Sequence, residues 1–185
     1  MRLSLITLLC LLGSGAQAVE FNQIVPAQSR ISFGYKQMGA PMDGKFGQFN
    51  VQMRFDPANL KAASARMDVN LASIDTGSTE ANDEVAGKAW FNTRAFPNGQ
   101  FVSSSVKALG GNRYQTSGTL TLKGKTQPVT AIFTMQANGN SATFDGAFLL
   151  KRLDYAIGEG IWADVATVAN EVNISFHLVA TAAKK

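Results

Sequence analysis

From residue 30 onward the chain alternates. Ile31, Phe33 and Tyr35 are separated by Ser32 and Gly34, and Phe49, Val51, Met53 and Phe55 by Asn50, Gln52 and Arg54. Ala65, Met67, Val69 and Leu71 follow the same rule against Ser64, Arg66, Asp68 and Asn70. A period of two sends successive side chains to opposite faces, so each segment predicts a strand with one apolar and one wet face. On this phase Met53, Met67, Val69 and Phe148 are expected to be buried, and Arg54, Arg66 and Asp68 exposed. Phe46 falls three residues before Phe49 and breaks phase, and Gly47 between them predicts a bulge.

The second half keeps the rhythm. Residues 100–108 predict a strand ending at Gly110-Gly111-Asn112, a hairpin turn. Tyr114, Thr116, Gly118, Leu120 and Leu122 share the next face until Lys123-Gly124-Lys125 turns the chain. Val129, Ala131, Phe133 and Met135 follow and stop at Asn138-Gly139, a type I′ signal. Ala142, Phe144, Gly146, Phe148 and Leu150 form one further face, and Val172, Ile174, Phe176 and Leu178 the last. The predicted strands are 30–37, 44–55, 64–74, 100–108, 112–123, 127–137, 141–152 and 170–180.

Residues 75–99 do not alternate. Ser78 is placed to cap a helix, Glu80 and Asp83 suit its first turns, and Gly87 ends it. The fold expected is therefore all-β: an eight-stranded antiparallel barrel with one short helix between strands three and four. Closure removes the exposed edges that an open sheet must protect.

The opening residues read differently. Arg2, the ten-residue apolar run Leu3–Leu12 and the Ala16-Gln17-Ala18 site predict a secretory signal peptide over 1–18, cleaved after Ala18. Ten apolar residues are about half of what a membrane-spanning helix needs. What remains, 185 − 18 = 167 residues, suits one domain, 19–185. The one cysteine, Cys10, lies in the leader and lacks the small residue that usually precedes an acylated cysteine. The mature chain then has no disulfide and no thiolate chemistry. That pattern suits a Gram-negative periplasm.

Charge excludes more than it suggests. Loss of Arg2 takes the net charge from +4 to +3, and the basic residues are scattered rather than striped, which argues against nucleic acid as a partner. No later segment is apolar enough for an integral membrane span. His177, the one histidine, is out of phase with its apolar neighbours and is expected to face solvent. It has no metal-ligand partners in sequence, and Glu80, Asp83 and Glu84 have the spacing of a solvated helix face. No catalytic residue, metal site or cofactor is indicated, and a binding role outranks an enzymatic one.

Several segments together resemble the YceI-like family of periplasmic proteins. They are Arg30-Ile31-Ser32-Phe33, Gly44-Lys45-Phe46-Gly47-Gln48-Phe49, Ser73-Ile74-Asp75-Thr76-Gly77 with Asn82-Asp83, and Trp90-Phe91 with Phe96-Pro97 and Phe101. The most specific is Gly118-Thr119-Leu120-Thr121-Leu122-Lys123-Gly124 with Thr126, Pro128 and Val129, and Arg152, Asp154, Tyr155, Ile157 and Gly158 complete the set. Asn82 stands where the family commonly has arginine, and Trp90 replaces a smaller residue before the phenylalanine, a change that leaves the barrel intact and can reshape the cavity mouth. The resemblance implies a lipocalin-like barrel that binds a lipophilic small molecule, a polyisoprenoid, isoprenoid quinone or other amphiphilic lipid, in transport or a stress response. A homodimer is compatible with it.

On that expectation the ligand-binding residues are Phe33, Phe46, Phe49, Met53, Met67, Phe101 and Phe148 from the strands. Trp90, Phe91 and Trp162 join them from the irregular segments near the mouth. Arg152 shares the inward phase of Phe148 and Leu150, where a charge must be paired or solvated. Two roles fit it, bonding to Asp154 or another carboxylate, or anchoring a polar head group. The rival readings are an outer-membrane barrel, a periplasmic hydrolase, and a stress-related interaction protein without a ligand. An outer-membrane barrel would turn its apolar face to lipid and usually end in an aromatic residue.

Overall fold

The alternating segments assemble into one strongly curled antiparallel sheet. The structure, a computed structural model, describes residues 19–182; the expected signal peptide and its cleavage site lie outside the described residues. The strands are β1 (Phe21–Ile24), β2 (Arg30–Gln37), β3 (Ala40–Phe46), β4 (Phe49–Arg54), β5 (Ser64–Asn70) and β6 (Ile74–Asp75). After the helix α1 (Thr79–Ala86) come β7 (Asn98–Gly110), β8 (Arg113–Leu122), β9 (Lys125–Asn138), β10 (Ser141–Lys151) and β11 (Glu171–Ala182).

Eleven strands replace the expected eight. The expected strand 44–55 starts earlier and is split at Gly47–Gln48 into β3 and β4, so the predicted bulge is an interruption. The expected strand 64–74 is split by a 3₁₀ turn at Leu71–Ser73 into β5 and β6, and the short β1 had no alternation to announce it. The two breaks face each other. Gly47 N–H donates to Ser73 O at 2.9 Å and Asn70 N–H to Gln48 O at 3.0 Å. Gln48 N–H also donates to Ser73 Oγ, and Asn70 Nδ2 to Gln48 Oε1. Backbone groups freed by the breaks are thereby satisfied locally.

The sheet order is β4-β5-β7-β8-β9-β10-β11-β2-β3-β6, with β1 alongside β11. Its two ends, β4 and β6, are the strands that meet at the stitched break. β1 bridges from β11 to the end of β4, where Phe21 and Phe55 exchange both backbone hydrogen bonds.

Turn chemistry sets the register of the longest hairpins. Gly111 and Asn112 join β7 to β8, and Lys123 and Gly124 join β8 to β9, all four at positive φ as a two-residue type I′ turn requires. The third turn differs from expectation. Asn138 stays in β9 opposite Ser141, so the loop is Gly139-Asn140 and Gly139 alone has positive φ. Ser78 caps α1, its Oγ accepting from Ala81 N–H, and Gly87 ends the helix. Asn82 ties α1 to the exit of β6 by accepting from both Thr76 N–H and Thr76 Oγ1 at 2.8 Å.

The inward face packs at two ends. One cluster gathers Phe21, Phe55, Tyr114, Phe133, Met135 and Phe144, where β1 crosses between β11 and β4. The other gathers Leu71, Trp90, Leu120, Leu122, Leu150, Tyr155, Ile157 and Val168. Met53, Met67, Val69 and Phe148 point inward but are half-buried rather than buried, because the space between the clusters is hollow. Arg54 and Arg66 are exposed as expected. Asp68 is half-buried instead, held by Arg66 at 2.9 Å and by Gln100 Nε2 at 2.7 Å. His177 lies on the outer face, and its Nδ1 is 2.6 Å from Asp145 Oδ1 on the neighbouring strand.

Candidate functional site

Between the clusters lies a cavity of about 550 Å³. Its wall is built mainly from the inward residues of β2, β4, β5 and β7 to β11, so the same alternation that makes the strands makes the lining apolar. Such a volume falls in the range of about 300–1,000 Å³ usual for small-molecule sites. Among the described residues there is no cluster of three metal-ligating side chains, and no helix is long and apolar enough to cross a membrane.

Ten of the eleven expected site residues border this cavity: Phe33, Phe46, Met53, Met67, Trp90, Phe91, Phe101, Phe148, Arg152 and Trp162. Phe49 does not. It stands beside the Gly47–Gln48 break and packs onto the Phe21–Phe144 cluster. The aromatic wall is continuous in one quarter, with Phe33 and Phe46 centroids 5.5 Å apart and Phe46 meeting Phe91 edge-on at 6.4 Å. Trp90 and Trp162, from two different loops, meet at 5.6 Å.

Arg152 departs from its expected partners. It is 1% exposed and bonds to no carboxylate. Nε donates to Ala169 O at 3.0 Å. Nη1 donates to Ile157 O at 2.8 Å and to Gly158 O at 3.1 Å. Nη2 donates to Trp162 O at 2.7 Å and to Val168 O at 2.6 Å. A guanidinium has five N–H groups, and all five are used, so none is left to bind a head group. The Trp90 ring also covers the guanidinium, 5.5 Å from its carbon. With no acid beside it, burial lowers its pKa from the usual value. Gly158 completes the cradle: at φ +82 it has a conformation that favours glycine, and a Cβ there would strike Nη1.

Lys123 is a second organiser that the sequence reading left as a turn residue. Its Nζ donates to Lys88 O at 2.8 Å, Ala156 O at 2.7 Å and Glu159 Oε2 at 2.8 Å, strapping the β8–β9 turn to two mouth loops. That ammonium holds the Glu159 carboxyl below its ordinary pKa. The reading also passed over Ile31, Tyr35, Leu71, Val172 and Ile174 as lining, although they carry the same inward phase, and α1, which contributes Glu80, Ala81, Glu84 and Val85. Nothing in the helix's own pattern announced which face would meet a cavity.

With the curled sheet, the helix α1 and the apolar hollow in view, the comparisons with known proteins are specific. The YceI-like domain matches residues 23–180. The chain belongs to the YceI-like family. A UPF0312 protein of Yersinia pestis (strain Pestoides F) is 30% identical over 151 residues, 78% of this chain and 76% of that protein. Among solved structures, Burkholderia cenocepacia BcnA is 45% identical with a TM-score of 0.84, covering 86% of this chain and 100% of that one. A polyisoprenoid binding domain from Saccharophagus degradans implicated in plant cell wall breakdown superposes with a TM-score of 0.67 at 15% identity, covering 90% and 100%. At that identity the likeness concerns the fold.

Proposed function

We infer that this YceI-like protein is an exported, periplasmic carrier or sequestering protein, holding the tail of a long-chain amphiphile inside its curled sheet without performing chemistry on it. The two broken strand pairs act as single bent staves, which makes the functional unit a barrel. The observation that carries this reading is the apolar cavity of about 550 Å³, walled mainly by strand side chains. Burying hydrocarbon gains about 0.8 kcal/mol per methylene, so such a wall holds a long chain without covalent attachment. The fold shared with a domain described as polyisoprenoid binding supports the ligand class.

Filling the cavity tests it. Ala65 and Val69 border the hollow on β5. Ala65→Phe and Val69→Trp should fold, judged by circular dichroism and thermal melting, and lose the amphiphile that co-purifies with the wild type. Variants that fold and retain as much of it as wild type would place the ligand outside the barrel.

A further inference from the structure

Exposed apolar side chains gather at the rim of the hollow. Of nine large ones among the described residues, Met38, Met42, Ile161 and Val165 lie on two segments, the β2–β3 hairpin and the loop before β11. Ile161 and Met38 are the most exposed of the nine, at 83% and 81%. Single exposed apolar residues need no explanation, but a gathered set does. The fold joins the two segments. Val168 bridges to Gln37, and Met38 N–H donates to Thr167 O at 2.9 Å. Nη2 of Arg152 holds Val168 O and Trp162 O together. Gln37, Trp162 and Val168 border the cavity, so Met38 and Ile161 each stand one residue outside its wall. Met42 lies opposite Tyr35, another wall residue, in the strand register.

The backbone holds Met38 at the tip against its own preference. Met38 and Gly39 are the central pair of the two-residue β2–β3 turn, at φ +50 and +80. Asn, Asp or Gly adopts the first of those positions with less strain. A side chain so exposed recovers nothing by packing within the chain.

We propose that this rim inserts into the interfacial layer of a lipid bilayer, so that an amphiphile tail passes between membrane and cavity without crossing water. The inference rests on the cavity reading above and adds the surface from which the cavity is loaded. Every methylene drawn through water loses the free energy of its apolar surroundings, and a mouth lipped with apolar side chains, continuous with the apolar wall, removes that barrier. The tips are separate side chains on turns, which suits a fluid interface. A stable protein partner needs about 800 Å² of complementary face on each side. Charge adds little to the attachment. In the two segments Glu159 is paired with Lys123, and Asp164 accepts from Ala166 N–H and Thr167 Oγ1. Lys36 is in no ion pair among the described residues, but α1, on the same cavity, carries Glu80, Asp83 and Glu84.

Flotation with vesicles of phosphatidylcholine and phosphatidylethanolamine tests the rim. Wild-type protein should float with the vesicles, and raised salt should leave the bound fraction unchanged. The Met38→Asn/Ile161→Ser double variant suits the turn and alters only exposed side chains, so it should fold as wild type by circular dichroism. It should bind the vesicles about tenfold more weakly. Leu149→Ser, which removes an apolar side chain 56% exposed on the outer face of β10, should bind like wild type. Val69→Trp, which fills the cavity behind the rim, should lose the amphiphile and still float, which separates this inference from the cavity reading. Wild-type protein that stays behind, or a double variant that binds as tightly as wild type, overturns the inference. So does release by salt, which would make the contact electrostatic. So does a wild-type dimer in sedimentation that the double variant dissociates, since a second copy then covers the rim. If Val69→Trp no longer floats, the cavity and not the rim holds the membrane, and only this inference falls. Vesicle binding by a protein that retains no amphiphile defeats the cavity reading and, with it, the loading role.

Discussion

The two ends of the hollow are closed by different physics. At the Phe21 end, Phe55 is 3% exposed and meets Tyr114, Phe133 and Phe144 edge-on, with centroids at 5.1, 5.9 and 5.2 Å. Those rings sit on strands or at their ends, in the inward phase, and most of what holds them is non-directional apolar burial, with edge-to-face contacts adding to it. At the mouth, residues 152–170 form turns rather than strands, and a single guanidinium holds them through five carbonyls. The loops also bury Tyr155, Ile157 and Val168 in the second apolar cluster. With no strand ladder to place them, they need the directed bonds of Arg152 as well as apolar packing.

Mutations at the two ends should therefore fail differently. The largest effect is expected for Arg152→Met, which strands five carbonyls in a buried site and should cost about 4 kcal/mol in urea unfolding. Arg152→Lys should recover less than half of it, since an ammonium has three donors and no planar fork. A loss under about 1 kcal/mol would mean the mouth loops hold themselves. At the plugged end, Phe55→Ala should cost about 3 kcal/mol by leaving a void among packed rings. Phe148→Ala, on the half-buried wall of the hollow, should cost only about 1 kcal/mol, because no new cavity is created there. Equal losses at Phe55 and Phe148 would erase the distinction between filled end and open wall.

The smallest effect is a pH effect confined to the mouth. Burial, with Asp154 nearby, pushes the Tyr155 hydroxyl up to about 12. Its folded pKa is thus above its unfolded value of about 10, so its stabilisation is complete below about pH 10 and is lost as pH rises toward about 12. Melting temperatures should fall more steeply above about pH 10 in the wild type than in Tyr155→Phe. Parallel curves would show that Tyr155 is not sealed from solvent.

Legibility followed the same division. The alternation of Ile31, Phe33 and Tyr35, or of Tyr114 through Leu122, states which face a strand turns inward, and the folded chain obeys it. It does not state whether that face is filled, which is why Met53, Met67, Val69 and Phe148 were expected to be buried yet line a hollow. The phase of Arg152 placed it inward, but its acceptors are backbone carbonyls, and a carbonyl leaves no mark on the residue that bears it. Phe49 shares the phase of Val51 and still misses the cavity, because the break at Gly47–Gln48 redirects the chain beside it. The helix was announced by its caps, Ser78 and Gly87, and its cavity-facing residues were not, since their exposure to a hollow depends on a sheet that curls far away in sequence.

Native mass spectrometry of the protein released intact from the cells that produce it tests the amphiphile reading in one spectrum. A chain beginning at Val19 should carry additional mass that is stripped by collisional activation and identified as a long-chain lipid, and the Ala65→Phe and Val69→Trp variants should fly without it. Wild-type protein that flies bare, and that stays bare after incubation with single-chain amphiphiles or polyisoprenoid lipids, would show that the hollow is not a lipid site.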